Sequence, residues 1–295
     1  MASQAVGAAA PAASTTAPAA GGTAAPAAVL TGRQVYDEMQ DLLGRCSLSS
    51  TTKKLIRNYT RRIAMSQRQY VVATDLFPLP ALRVYSLYNL GRHAELTIEE
   101  QTRYFSAQRG GAQGDYHDGM PEKIKNVVQC LHQYPVSKRA VITIPNTSFP
   151  DHTHDADAKC LRELHFYLDA ETNASSSSTT TTPQFRLNAT VWMRAQAAEI
   201  FPKNIHFIGA LMTTIATALT AQSPPHPNQN TSKEEEEEAA DHHKRDAEED
   251  TKTNTDATTT TNAPTSTNEK HGGTMVVNVG ELFYLATTLV SVRDD

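Results

Sequence analysis

Three stretches of this chain hold almost nothing that could be buried, and they dictate how the rest can fold. Residues 1–29 are mostly Ala, Pro, Thr and Gly, residues 170–183 are Ser/Thr-rich, and residues 222–273 are polar, Thr-rich and acidic, with an unbroken run from Glu234 to Glu238. A segment without apolar side chains cannot offset the conformational entropy lost on ordering. The first therefore reads as a disordered tail, and the other two as disordered inserts at about 170–183 and 222–273. The folded mass is left to about 31–169, 184–221 and 274–295, one domain spanning residues 30–295. The same segments explain a mean hydropathy of -0.46.

The net charge of -5 is carried without a basic stripe, which argues against a nucleic acid polymer as partner. The three cysteines, Cys46, Cys130 and Cys160, form no CxxC pair and no His/Cys cluster with zinc-ligand spacing. That pattern implies a reducing compartment, no disulfide framework and no metal. The first charged residue is Arg33, so the N-terminus lacks the basic region of a secretory signal and the arginines of a transit peptide. The apolar run Ile208 to Ala221 contains four threonines and is too short to span a bilayer. These features predict a soluble cytoplasmic protein, with the nucleus as an alternative, and no membrane contact.

Periodicity predicts the elements. Val35, Met39, Leu42 and Leu43 recur at helical spacing, and so do Leu55, Tyr59 and Ile63, which predicts two helices between Gly32 and Ser66 with an N-cap for the second at Ser49–Thr52. Tyr70–Thr74 reads as a strand ended by Pro78 and Pro80, and Ile98–Phe105 as a short helix. Pro121 opens a helix carrying Ile124, Val127, Val128 and Leu131, with Cys130 on its apolar face. Strands are predicted at 138–144, 161–168, 185–193 and 274–279, and helices at 204–219 and 282–290. Alternating strands and helices predict an α/β (α+β) domain.

Against that frame, a few residues carry chemistry. Lys159-Cys160 stands at the mouth of a strand, with His165, Phe166 and Tyr167 five, six and seven residues further on. The return strand ends Met193-Arg194-Ala195, and Lys203-Asn204-Ile205 opens the apolar helix. Upstream, the predicted helix 121–131 leads to Pro135, Ser137, Lys138 and Arg139, then to Pro145-Asn146; near the end comes Val279-Gly280-Glu281. In order and spacing these residues resemble the thymidylate synthase / dCMP hydroxymethylase family, over roughly 120–169, 185–220 and 274–285.

The resemblance implies a mixed sheet packed by helices, with one sheet face at a homodimer interface. It implies that the Cys160 thiolate adds to C6 of a pyrimidine deoxynucleotide monophosphate and makes C5 a carbon nucleophile. Arg194, with Arg162 nearby, would meet phosphate and thiolate, since a guanidinium fork suits a phosphate. Lys138 and Arg139 would reach the partner's phosphate site. Asn204 would read the base, because one amide offers the donor and the acceptor that uracil requires. His165 takes the position of the family's substrate-contacting glutamine, Tyr116 that of a catalytic tyrosine, and Glu95 that of a proton-relaying glutamate. The co-substrate would be 5,10-methylenetetrahydrofolate, donating a one-carbon unit to C5.

Each residue also has a plainer reading. Cys160 is a small buried hydrophobe, Arg194 a salt-bridged surface residue, Asn204 a helix N-cap, Lys138 and Arg139 a solvated strand entrance, and Tyr116 a loop aromatic. The sequence also departs from the family's pattern. Ala195 replaces a phosphate-binding serine, Pro145 a tryptophan, and Phe283 and Leu285 the His and Tyr that hold the ribose, with Tyr284 between them. The sequence ends at Asp295, soon after that block, where the family's C-terminus closes over folate; a wetter site is the expectation. Three functions follow as alternatives: a thymidylate synthase, a pyrimidine nucleotide hydroxymethylase, and a catalytically degenerate binding or dimerisation module.

Overall fold

The structure is a computed structural model that describes residues 28–45, 55–104, 114–145, 159–171, 183–222 and 275–291. Most of the tail and of both inserts, Cys46, Asn146 and the Ser49–Thr52 segment lie outside these residues.

Helix α1, Gly32–Arg45, buries Val35, Met39 and Leu43, one residue per turn. Its start is a capping box: the Gln34 amide donates to Thr31 Oγ1 at 3.3 Å, and the Thr31 amide donates to Gln34 Oε1 at 2.8 Å. Helices α2 (Leu79–Asn89), α3 (Ile98–Tyr104) and α4 (Met120–Gln133) follow. Helix α5, Phe201–Ala221, begins with Pro202 in its first turn, where a missing N–H costs nothing. The stretch Ala198–Ala221 is long and apolar enough, by length and composition, to cross a membrane, longer than the apolar run visible from Ile208. Here it is a core helix: Ile205, Ile208, Leu211, Met212, Ile215 and Leu219 are all buried.

Six strands form one mixed sheet: β1 (Val29–Leu30), β2 (Leu55–Ala64), β3 (Val141–Thr143), β4 (Leu161–Ala170), β5 (Gln184–Ala197) and β6 (Val276–Val290). Their order is β1-β2-β6-β5-β4-β3. The pairs β1–β2 and β5–β6 are parallel and the others antiparallel. The parallel pair β5–β6 needs a crossover, and α5 lies within that connection. The domain is thus a mixed α/β fold with a six-stranded mixed sheet packed by helices.

Buried apolar residues alternate with more exposed ones in the sheet centre. Leu164, Phe166 and Leu168 on β4, and Leu187, Ala189, Val191 and Met193 on β5, are buried in one cluster with the α5 residues. On β6, Leu282, Tyr284 and Ala286 join them. The intervening residues are different: Trp192 is 46% exposed and Phe283 42%. Trp192 Nε1 donates to Thr287 Oγ1 at 2.9 Å on that open face.

Several expectations are corrected. Leu55–Ala64 is a strand, not a second helix: Leu55, Tyr59 and Ile63 are four apart, and an even spacing also places residues on one face of a strand. Val276–Val290 is one continuous strand, not a strand followed by a helix. Tyr70–Thr74 joins no ladder. Pro80, read as a breaker, instead lies in the first turn of α2, the one place where a helix accepts proline.

Candidate functional site

Cys160 immediately precedes β4, opposite the end of β5. Its carbonyl accepts the amide N–H of Arg194 at 2.8 Å, so the antiparallel ladder holds these two residues as cross-strand neighbours. The next amide, that of Leu161, donates to the Tyr116 hydroxyl oxygen at 3.4 Å. Cys160 is 7% exposed, and its surroundings are not simply hydrocarbon. The phenols of Tyr85, Tyr116 and Tyr284 lie in the same region, and their pKa values rise well above the usual tyrosine range. Burial is the main cause, with a further contribution from Cys160 in each case. These hydroxyls therefore stay protonated and serve as neutral donors.

A buried polar network extends from this point into the first turn of α5. The Tyr116 amide donates to Asn89 Oδ1 at 2.6 Å, and Asn89 Nδ2 donates to the Tyr85 carbonyl at 3.1 Å. The Tyr85 hydroxyl donates to the Gly114 carbonyl at 2.7 Å and lies 3.4 Å from Asn204 Oδ1. Asn204 Nδ2 donates to Gln196 Oε1 at 2.9 Å. That same oxygen accepts the Tyr284 hydroxyl at 2.7 Å, and Gln196 Nε2 donates to the Ala197 carbonyl at 2.6 Å. Asn204 thus spends one N–H inside the network and keeps a second N–H, with oxygen lone pairs remaining beside it.

Lys203 is buried in the same turn, its Nζ 4.8 Å from the centre of the Tyr85 ring. Gly114 permits this approach, since a Cβ there would stand 2.6 Å from Lys203 Nζ and 3.2 Å from the Tyr85 hydroxyl. A thiol, an amide with spare donor and acceptor capacity, a buried cation and three neutral phenols therefore share one region, with the backbone of Arg194 beside the thiol's own. Such a set can activate a sulfur nucleophile and hold a polar planar ring.

The structure gathers some of the sequence-predicted residues and leaves others apart. Cys160 and Arg194 are backbone neighbours, and Tyr116 and Asn204 belong to one hydrogen-bonded network that reaches the amide after Cys160. Glu95 instead sits in a short turn, His93–Glu95, where its carboxylate accepts Arg92 Nε at 2.5 Å and Nη2 at 2.8 Å, and it takes no part in the network. Lys138 and Arg139 are exposed in the turn before β3, where the Arg139 amide donates to Ser137 Oγ at 3.1 Å. His165 lies mid-strand on β4, opposite Thr190, with its ring 6.2 Å from that of Tyr167. Its Nε2 is buried and makes no hydrogen bond. Arg162 is half-buried on β4, two residues beyond Cys160.

Tyr85, Asn89, Gln196 and Lys203 escaped the sequence reading. The only available signal was their polarity within apolar surroundings: Gln196 between alanines, Lys203 at the head of the most apolar helix. Tyr284 stood one position out of register with the family's tyrosine, yet it is this phenol that reaches Gln196. No protein-family model matches the chain, and no curated protein does.

Proposed function

We propose that the protein is a thymidylate-synthase-like methyltransferase that passes a one-carbon unit from methylenetetrahydrofolate to C5 of a uracil deoxynucleotide monophosphate. The observation that carries this reading is the pairing of Cys160 with Arg194, with Tyr116 and Asn204 joined to the same network. The Cys160 sulfur bonds to C6, and the ring electrons shift to C5. C5 then bonds to the folate-borne carbon. Loss of the C5 proton with departure of the folate nitrogen leaves a methylene on C5, and addition of hydride to it (or of water, in a hydroxymethylation) expels the sulfur from C6 and restores both ring and thiolate. Folate supplies the carbon and, in a methylation, the hydride. Arg194 provides positive charge for the sulfur and for the substrate phosphate. Asn204 offers its remaining N–H to O4 of the base and its oxygen to N3–H. Tyr116 is a neutral donor at the strand mouth.

The reading includes a homodimer through the open sheet face. Four long strands about 4.8 Å apart and about 33 Å long give each protomer roughly 600 Å² of flat surface, and two such faces approach the roughly 1,200 Å² that a specific interface requires. Trp192 and Phe283 are its apolar anchors, and a partner would also cover the region of His165. Lys138 and Arg139, exposed on a neighbouring turn, are free to extend toward the partner's phosphate site.

The test is a covalent adduct. Incubation with 5-fluoro-dUMP and methylenetetrahydrofolate should add the mass of both to the peptide containing Cys160. Folded protein that forms no adduct overturns the reading in favour of a binding or dimerisation module. If the product from dUMP carries a hydroxymethyl rather than a methyl group, the chemistry is hydroxymethylation.

A further inference from the structure

A second site lies at the other end of the sheet. Glu171, at the far end of the ten-residue strand β4 from Cys160, lines a cavity of about 830 Å³. At about 3.3 Å per residue the two are roughly 36 Å apart along the strand. The turn Ser66–Arg68, α2, α5 and the sheet-end residues of β5 and β6 enclose it. Its walls carry four guanidinium groups, Arg68, Arg83, Arg92 and Arg186, against two carboxylates, Glu171 and Glu281.

Three of the arginines have a carboxylate partner. Arg186 pairs with Glu171 at 3.1 Å, Arg83 with Glu100 at 2.6 Å and Arg92 with Glu95 at 2.5 Å. No carboxylate among the described residues pairs with Arg68. Its backbone is also unusual: Gln67 and Arg68 have φ of 49° and 61°, a left-handed conformation that disfavours residues with a Cβ. The turn is held there from both sides. The Met65 amide donates to the Gly280 carbonyl at 3.0 Å and the Val71 amide to the Arg68 carbonyl at 2.9 Å. Strain of this kind persists where the surroundings enforce it, and it is concentrated at ligand sites.

On the α5 wall stands His206, its Nδ1 2.6 Å from Ser86 Oγ of α2. Burial, with Arg68 nearby, lowers its pKa to about 4, so the ring is neutral. When Nδ1 accepts the serine proton, Nε2 carries a proton and is a donor. Leu87, Leu90 and Val279 supply apolar wall beside the charged groups.

We propose that this cavity binds a small phosphate ester, its phosphate held by Arg68 with the spare donors of Arg83, Arg92 and Arg186. With Glu95, Glu100 and Glu171 each paired to one of these arginines and Glu281 to Arg62, Arg68 brings one positive charge in excess to meet a phosphate, and guanidinium forks from separate elements suit an oxyanion with several acceptor oxygens. The volume falls within the 300–1,000 Å³ usual for small-molecule sites, which leaves room for an organic group on the apolar wall. None of these residues belongs to the Cys160 network, so the proposal stands or falls independently of the one-carbon chemistry.

The test follows the His206 imidazole resonances of the full chain by NMR, assigned with His206→Gln, during titration with AMP, inorganic phosphate, adenosine and citrate. AMP should shift them saturably, and Arg68→Glu should weaken that binding at least about tenfold while Lys125→Glu, on exposed α4 surface, leaves it unchanged. Inorganic phosphate binding as tightly as AMP would identify the free anion as the ligand, and tighter AMP binding an ester. The proposal fails if neither phosphate compound shifts the resonances at about 10 mM, which corresponds to under 3 kcal/mol of binding. It fails equally if adenosine or citrate binds more tightly than both, or if Arg68→Glu binds AMP as the natural chain does.

Discussion

The Tyr284 hydroxyl donates to Gln196 Oε1 at 2.7 Å, joining the last strand of the sheet to the segment that leads into α5. The same oxygen accepts Asn204 Nδ2 at 2.9 Å. One buried acceptor thus fixes both a phenol and the amide proposed to read the base.

Removing that acceptor should be costly. Gln196→Leu leaves a buried hydroxyl and a buried amide N–H without their partner, at about 1–3 kcal/mol for each unsatisfied group. Tyr284→Phe removes only a donor, and about 1 kcal/mol is expected. Urea denaturation of the two variants checks the ordering. Equal losses would mean that Gln196 finds no more use in the fold than Tyr284 does.

Cys160→Ala should abolish the fluoronucleotide adduct and all turnover while lowering stability by about 1 kcal/mol, the cost of one small buried group. Mass spectrometry and a melting curve on the same sample separate loss of chemistry from loss of fold. Turnover that survives the substitution removes Cys160 from the mechanism.

Stability should fall with acid in a window set by His206. Its folded pKa of about 4 lies below the unfolded value of 6.5, so the unfolded chain binds the extra proton first. This contribution is intact above pH 6.5, declines as pH falls toward 4 and is then lost, amounting to about 3 kcal/mol at most. His206→Gln should flatten that part of the pH–stability curve. An unchanged slope would show that other groups set it.

The open sheet face predicts an oligomeric state. Trp192→Glu together with Phe283→Glu puts two carboxylates where apolar side chains would meet a second copy. Sedimentation equilibrium should then give a monomer where the natural chain gives a dimer, with a loss of at least about tenfold in association. A natural chain that is monomeric at micromolar concentration would rule out the interface.

Much of the site was legible because it is local in sequence. Cys160 precedes a strand, Arg194 lies near the end of the return strand, which runs on to Ala197, and Asn204 lies in the first turn of a helix that starts at Phe201 rather than at Asn204 itself; the hairpin pairing of β4 with β5 then follows from adjacency. Glu95 was a positional guess in a segment with no clear pattern, and the structure pairs it with Arg92 at the surface. Tyr85 was hidden because α2 itself went unread behind Pro80, although proline in a first turn is a start signal as well as a stop.

The sequence by itself determined which segments could be buried, where α1, α3, α4 and α5 run, and which side chains face inward on β4 and β5. It could not determine Leu55–Ala64 or Leu282–Val290. Both carry apolar residues compatible with a helix, and both are strands because they pair with each other, Leu55 opposite Val290 and Ile63 opposite Leu282. A strand is stabilised by its neighbour rather than by its own residues. Here the neighbour comes from the opposite end of the chain, so only the tertiary structure decided those elements, and with them the position of Tyr284 beside Gln196.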